Sequence, residues 1–153
     1  MISIQQILMP TDFSHNARYA LDIAVNFAEK FEAQIFLLHV FEMPLTKAFN
    51  YQHFVSTEVE KSQLDNLFKA ETEDAMEALV RQFASRGVPI EPLFIEDGVP
   101  FVEIIRTAKE LPVDLIVMSA YSRMGISNLL IGSVTEKVVR KAPCPVLTVR
   151  SKG

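Results

Sequence analysis

The chain has 153 residues, of which 49% are hydrophobic, and its formal net charge is −4. This length predicts a single domain over residues 1–153 with a substantial core, and the composition excludes a disordered chain. The acidic balance disfavours a nucleic-acid binder, because such proteins usually carry a basic excess. The sequence shows no apolar run long enough to cross a membrane, no signal-peptide pattern and only one cysteine. We therefore expect a cytoplasmic protein without a membrane partner.

Short apolar runs alternate with helical patterns along the chain. Strands are predicted at 4–9, 35–40, 90–95, 114–118 and 146–149. The run at 35–40 is nearly continuous, which is typical of a strand buried on both faces. Strict alternation predicts an α/β fold with a doubly wound parallel sheet, whose ligands bind at the carboxyl ends of the strands. The helix positions predicted to be buried are Ala17, Ala20, Leu21, Ala24, Ala28 and Phe31, then Leu64, Leu67, Phe68, Ala75, Leu79 and Phe83, then Phe101, Ile104, Ile105 and Ala108.

Proline, serine and glycine predict where these elements begin and end. The first strand is expected to stop before Pro10, which opens a turn, and Ser14 is expected to cap the first helix. The second helix is expected to run to about Arg86, with Gly87 as its stop. Pro100 suits the first turn of the third helix, where its missing N–H costs nothing.

Residues 41–56 show no clean periodicity and are rich in aromatic residues. A connection of this length is usually functional or mobile. Two interpretations remain open: a flap that shields part of the core, or a lid over a ligand or partner surface.

Gly132 and Ser133 open the last predicted helix. The N–H groups of a helix's first turn have no partners within the helix, so those of Val134 and Thr135 could bind a phosphate. The helix dipole would add ~0.3–1 kcal/mol. Ser133 to Glu136 also have the spacing of a capping box, which requires no ligand. The two roles are compatible.

Several motifs taken together resemble the universal stress protein family over essentially the whole chain. They are ILMPTDFS at 7–14, LLHV at 37–40, DLIVM at 114–118, GSV at 132–134 and APCPVL at 142–147. The resemblance implies a five-stranded parallel sheet in the order 3-2-1-4-5, with helices on both faces, of the adenine-nucleotide α-hydrolase-like class. It also implies a homodimer joined through the last strand, about residues 145–149.

Many members of that family bind ATP through a motif of glycine, two residues, glycine, nine residues, glycine and then serine or threonine. In this chain Ser119 and Ser122 occupy the first two glycine positions, and Gly132-Ser133 completes the motif. A left-handed conformation costs a serine roughly 1–2 kcal/mol. The two serines are therefore tolerated if their dihedrals are ordinary, and their hydroxyls could donate to phosphate oxygens.

The resemblance implies an adenine-nucleotide site, for ATP with Mg²⁺, between the first and fourth strands. Asp12 would lie near the ribose and the main chain of Val40 would hold the adenine; the alternatives are an ordinary turn aspartate and a core valine. Arg123 would pair with a phosphate or be a solvated loop arginine. The residues assigned to the site are Pro10, Thr11, Asp12, Val40, Ser119, Ser122, Arg123, Gly125, Gly132, Ser133, Val134 and Thr135.

Other reactive side chains do not indicate catalysis. His39, within a buried strand, is more typical of a hydrogen-bonded core histidine, and Cys144 has no histidine or second cysteine near it in sequence. We expect at most slow ATP hydrolysis. Two hypotheses remain: a nucleotide-responsive stress-response module that acts through a dimer and a protein partner, or a family member that has lost nucleotide binding and works as a dimeric interaction protein.

Overall fold

The computed structural model describes residues 1–41, 58–121 and 131–151. Its elements are β1 Gln6–Pro10, α1 His15–Phe31, β2 Gln34–Val40, α2 Glu58–Gln82, β3 Ile90–Ile95, α3 Pro100–Glu110, β4 Leu115–Ser119, α4 Ser133–Lys141 and β5 Val146–Val149. The strands form one parallel sheet in the order β3-β2-β1-β4-β5, which confirms the predicted fold. The predicted flap or lid at 41–56 lies, apart from its first residue, outside the described residues. Within the described ranges, no helix is both long and apolar enough to span a membrane.

The sheet carries an apolar core on each face, because successive strand residues point to opposite sides. In β1, Ile7 and Met9 join the core beneath α1 and the later part of α2, whereas Leu8 joins the core beneath α3 and α4. All three side chains are 0% exposed. Strands covered on both faces have the nearly continuous apolar sequences seen here.

β1 extends through Pro10, so the prediction that this proline lies beyond the strand is wrong. Pro10 pairs with Leu38 of β2, while pairing of β1 with β4 has already ended at Leu8. The next N–H toward β2 belongs to Thr11 and donates to the carbonyl of Leu38 at 2.8 Å. The missing N–H of proline therefore costs no ladder hydrogen bond at this position.

Two helix positions that were predicted to be buried are exposed. Phe31 is 43% exposed and Leu67 is 56% exposed. Phe31 is the last residue of α1 and stacks at the surface on Phe27, with ring centroids 6.2 Å apart. Leu67 lies in the first half of α2, whereas the core contacts of that helix come from its second half. The buried apolar residues of the described part of α2 are Met76 and Leu79, and Phe83, directly after the helix, is buried as well.

α2 ends at Gln82, earlier than predicted, and a 3-10 turn continues the chain to Arg86. Gly87 then adopts φ 72, the left-handed conformation expected of a helix stop. The guanidinium of Arg86 holds this turn against α1 by donating to the carboxylate of Glu29 at 2.6 and 2.7 Å and to Asn26 at 2.6 Å. The hydrogen bond raises the pKa of Arg86 and lowers the pKa of Glu29.

Candidate functional site

A crevice of about 700 Å³ opens beyond the carboxyl ends of β1, β2 and β4. β1 lies between β2 and β4, where the strand order of the sheet reverses. Doubly wound sheets bind ligands at this point, and the volume lies within the roughly 300–1,000 Å³ usual for ligand pockets. The residues that were assigned to the site and line the crevice are Pro10, Thr11, Asp12, Val40, Ser119, Gly132, Val134 and Thr135.

Four further residues were assigned to the site. Ser133 is the first residue of α4 and is not among the described residues that line the crevice. Ser122, Arg123 and Gly125 lie outside the described residues. Sequence reasoning missed the wall formed by α2, where Phe68, Glu71, Thr72 and Ala75 line the crevice.

The turn between β1 and α1 is closed by its own side chains. The N–H of Phe13 donates to Oγ1 of Thr11 at 3.1 Å, and the N–H of Ser14 donates to Oδ1 of Asp12 at 2.9 Å. The N–H of Ala17 donates to Oγ of Ser14 at 3.1 Å, which confirms Ser14 as the N-cap of α1. Phe13 has φ 62, a left-handed conformation that costs a non-glycine residue about 1–2 kcal/mol.

His39 of β2 lies beside this turn. Its Nδ1 is 2.8 Å from the carbonyl oxygen of Thr11. Because a carbonyl oxygen only accepts, Nδ1 carries the hydrogen and donates it. The ring of Phe13 packs on the imidazole with centroids 4.6 Å apart. His39 is thus a half-buried, hydrogen-bonded histidine that also lines the crevice.

The main chain of Val40 points toward the crevice. Successive residues of a strand direct their N–H and C=O groups alternately to the two neighbouring strands. The carbonyl of Leu38 accepts from Thr11, and the N–H of Phe41 donates to the carbonyl of Ile95 on the other side at 2.8 Å. The groups of Val40 therefore face the β1 side, two residues beyond the last register pair of β1 with β2.

The first turn of α4 is anchored to the end of β4. Oγ1 of the buried Thr135 donates to the carbonyl of Ser119 at 2.8 Å. The N–H of Gly132 donates to the carbonyl of Ala120 at 2.8 Å. These two hydrogen bonds bring the start of α4 to the wall of the crevice.

α4 has Gly132 as its N-cap, with φ −60 and ψ 151. The predicted capping box, in which Ser133 would cap the helix, is therefore wrong. The anchor to β4 sets the start of the helix, and Glu136 pairs instead with Arg140 at 2.9 Å. Since glycine has no side chain, the N-cap residue supplies no acceptor to the N–H groups of this turn.

Ser119 has an ordinary backbone. It is the last residue of β4 and pairs with Val149, and its φ is not positive. Serine at the first glycine position of the ATP motif therefore causes no left-handed strain. Its hydroxyl donates to the carbonyl of Tyr121 at 2.8 Å and accepts from the N–H of Tyr121 at 3.2 Å. The hydroxyl closes a local turn in this structure.

Cys144 is not among the described residues that line the crevice. The pKa of the half-buried Cys144 thiol is raised, chiefly because burial disfavours the thiolate. In the described part of the chain, no group of three or more histidine, cysteine, aspartate or glutamate side chains is placed to hold a metal ion.

The fold and the crevice define a doubly wound α/β protein with a ligand-sized site at the switch point of its sheet. The model of the universal stress protein family matches residues 3–150, and the chain belongs to that family. Universal stress protein MJ0531 of Methanocaldococcus jannaschii is 32% identical over 148 residues, which are 95% of this chain and 82% of that protein. Universal stress protein MJ0577 of the same organism is 30% identical over 160 residues, covering 99% and 98% of the two chains.

Solved structures share the fold over nearly the whole chain. Universal stress protein UspA from Lactobacillus plantarum has a TM-score of 0.78 at 27% identity, covering 97% of this chain and 99% of that one. A universal stress protein in complex with cAMP has a TM-score of 0.71 at 20% identity, covering 98% and 99%. The Archaeoglobus fulgidus protein in complex with dAMP has a TM-score of 0.64 at 19% identity, covering 97% and 98%. The last two likenesses show the fold alone.

Proposed function

We propose that this chain, as a single domain over residues 1–153, binds ATP or a related adenine nucleotide in the crevice. The nucleotide would set the conformation that a dimer presents to a protein partner. The observation that carries the proposal is the convergence of three different groups on one crevice. These are the carboxylate of Asp12, the main chain of Val40 and the first turn of α4.

Each group suits one part of an adenine nucleotide. The N–H and C=O of Val40 offer a donor and an acceptor side by side, which complement the edge of adenine. The carboxylate of Asp12 accepts hydrogen bonds from ribose hydroxyls. The N–H groups of the first turn of α4 favour an anion. Mg²⁺ would enter with ATP, bound chiefly by the phosphates, as is usual for this ion.

The family members in complex with cAMP and dAMP support adenine as the common element of the ligand. Thermal melting with Mg-ATP, AMP and cAMP therefore tests the proposal. A ligand at 100 times its Kd stabilises the folded state by about 2.7 kcal/mol, which raises the Tm of a protein of this size by roughly 5–10 °C. A flat response to all three at millimolar concentration, with no nucleotide released on denaturation, would refute it. That outcome would favour a dimeric interaction protein that has lost nucleotide binding.

Gly132→Glu tests whether the phosphates lie at the start of α4. A carboxylate placed there repels a phosphate and fills its space, so we expect the nucleotide-dependent rise in Tm to disappear. Because Gly132 has φ −60, an L-residue fits its backbone conformation. Gly132→Ala, which adds a methyl group without charge, is the matched control and should keep the response. An unchanged response in Gly132→Glu would place the ligand elsewhere.

The proposed dimer interface is β5, about residues 145–149. β5 is an edge of the sheet, and its Val146, Leu147 and Thr148 are half-buried. Edge strands offer unpaired main-chain groups to a second chain. Leu147→Glu should therefore give a monomer by light scattering, with a circular dichroism spectrum like that of the wild type. Phe94→Glu on β3, the opposite edge, is the control and should leave the mass unchanged. A monomeric wild type, or a dimeric Leu147→Glu, would exclude this interface.

A further inference from the structure

The hydrogen bonding between β1 and β2 ends at Thr11, whose main chain bonds both to the main chain of β2 and to the side chain of His39. The N–H of Thr11 donates to the carbonyl of Leu38, and its carbonyl accepts from Nδ1 of His39, both at 2.8 Å. Thr11 is 6% exposed. A main-chain carbonyl in such surroundings requires a partner. His39 supplies it at the residue where the chain leaves the sheet.

His39 makes a second contact with Phe13, two residues after Thr11. The imidazole packs against the ring of Phe13, which has φ 62. Left-handed backbone is rare for a bulky residue and persists only when the surroundings hold it. The contact with His39 is one such restraint, and the hydrogen bond from the N–H of Phe13 to Thr11 is another.

The two contacts of His39 bracket Asp12 in the sequence. One holds the residue before it and the other holds the residue after it. The carboxylate of Asp12 meanwhile accepts from the N–H of Ser14, so its orientation depends on the conformation of the same turn.

We propose that His39 is a positioning residue, which fixes the turn that presents Asp12 to the crevice. The consequence for the ligand rests on the proposed nucleotide site, whereas the consequence for the turn does not. When the restraint is lost, Phe13 relaxes toward negative φ, the hydrogen bond from Ser14 to Asp12 opens, and Asp12 leaves its position on the crevice wall.

Two substitutions of His39 separate its two contacts. His39→Asn retains an N–H donor on the atom bonded to Cγ, where Nδ1 lies in histidine, but removes the ring. His39→Phe retains a ring against Phe13 and removes the donor. If the hydrogen bond to Thr11 is the main restraint, His39→Phe loosens the turn, whereas His39→Asn keeps it close to its wild-type conformation.

Amide hydrogen exchange of the free protein tests the turn without any nucleotide. We expect the N–H groups of Phe13 and Ser14 to exchange about tenfold faster in His39→Phe, the effect of losing one hydrogen bond. His39→Asn should stay within about threefold of the wild type. The N–H of Ile116, bonded to the carbonyl of Pro145 in the sheet, is the remote control and should not change. Equal acceleration at Ile116, or no acceleration at Phe13 and Ser14, would overturn the proposal.

Titration with Mg-ATP tests the consequence for the ligand. His39→Phe should bind about tenfold more weakly than the wild type, and His39→Asn should recover most of the affinity. Full affinity in His39→Phe, with a wild type that binds, would overturn the positioning role while leaving the proposed function intact. A wild type that fails to bind any of the adenine nucleotides would refute the proposed function, and the exchange experiment would still decide the role of His39 in the turn.

Discussion

α1 and α4 both contribute their first turns to the crevice, but they begin in different ways. α1 is capped within its own turn, because Oγ of Ser14 accepts from the N–H of Ala17. α4 has Gly132 as its N-cap and is held from outside the helix by the hydrogen bonds of Gly132 and Thr135 to the end of β4. The start of α1 is therefore locally self-sufficient, whereas the start of α4 depends on the sheet and has no side-chain acceptor at its cap. This difference supports the proposal that α4 binds the anion and that α1 serves as a scaffold.

Thr135→Val should have the largest effect on stability, because it removes the external anchor of α4. The carbonyl of Ser119 would lose the hydrogen bond from the buried residue 135. Because an unsatisfied acceptor there is costly, the free energy of unfolding should fall by about 1–3 kcal/mol. Urea unfolding measures the loss. Thr135→Ser keeps the hydroxyl and should recover much of the stability. Equal stability of the valine and serine variants would show that the hydrogen bond does not anchor the helix.

Ser14→Ala should have a smaller effect, since it removes the internal cap of α1. We expect the free energy of unfolding to fall by about 1 kcal/mol, the usual contribution of an N-cap side chain. Ser14→Asp retains an acceptor and serves as the control in the same urea experiment. The rise in Tm with Mg-ATP should persist in Ser14→Ala. A greater loss of that response here than in variants at Gly132 would reverse the roles assigned to the two helices.

Gly132→Ser should have the smallest effect on stability, and it makes the start of α4 resemble that of α1. A serine N-cap is only a few tenths of a kcal/mol more favourable than glycine, so the Tm of the free protein should rise slightly. The new hydroxyl would also compete with a phosphate for the N–H groups of the first turn, so the shift with Mg-ATP should shrink. Gly132→Ala adds a side chain without an acceptor, so it shows the effect of added bulk alone. A larger nucleotide shift in Gly132→Ser would contradict the assignment of those N–H groups to the phosphate.

Local sequence patterns predicted most of the fold. The strands at Ile90–Ile95 and Val146–Val149 have the predicted bounds, and the cap at Ser14 is confirmed. These features depend on neighbouring residues: short runs rich in apolar residues between turn signals, and a serine that reaches the third N–H of its own helix. The family and the strand order were also predicted, because several short motifs fall together in the chain.

The sequence by itself therefore determined the order of the elements, their apolar faces and the segments that meet at the crevice. Tertiary structure decided how far those faces are covered, and it leaves Phe31 at the end of α1 and Leu67 in the first half of α2 exposed. It also decided where α4 begins, because the N–H of Gly132 donates to the carbonyl of Ala120, a contact that no local spacing encodes. The partner of His39 was settled in the same way, since Thr11 comes beside it only through the pairing of β1 with β2. Periodicity and capping signals are local, whereas burial and the partners of main-chain groups depend on elements distant in sequence.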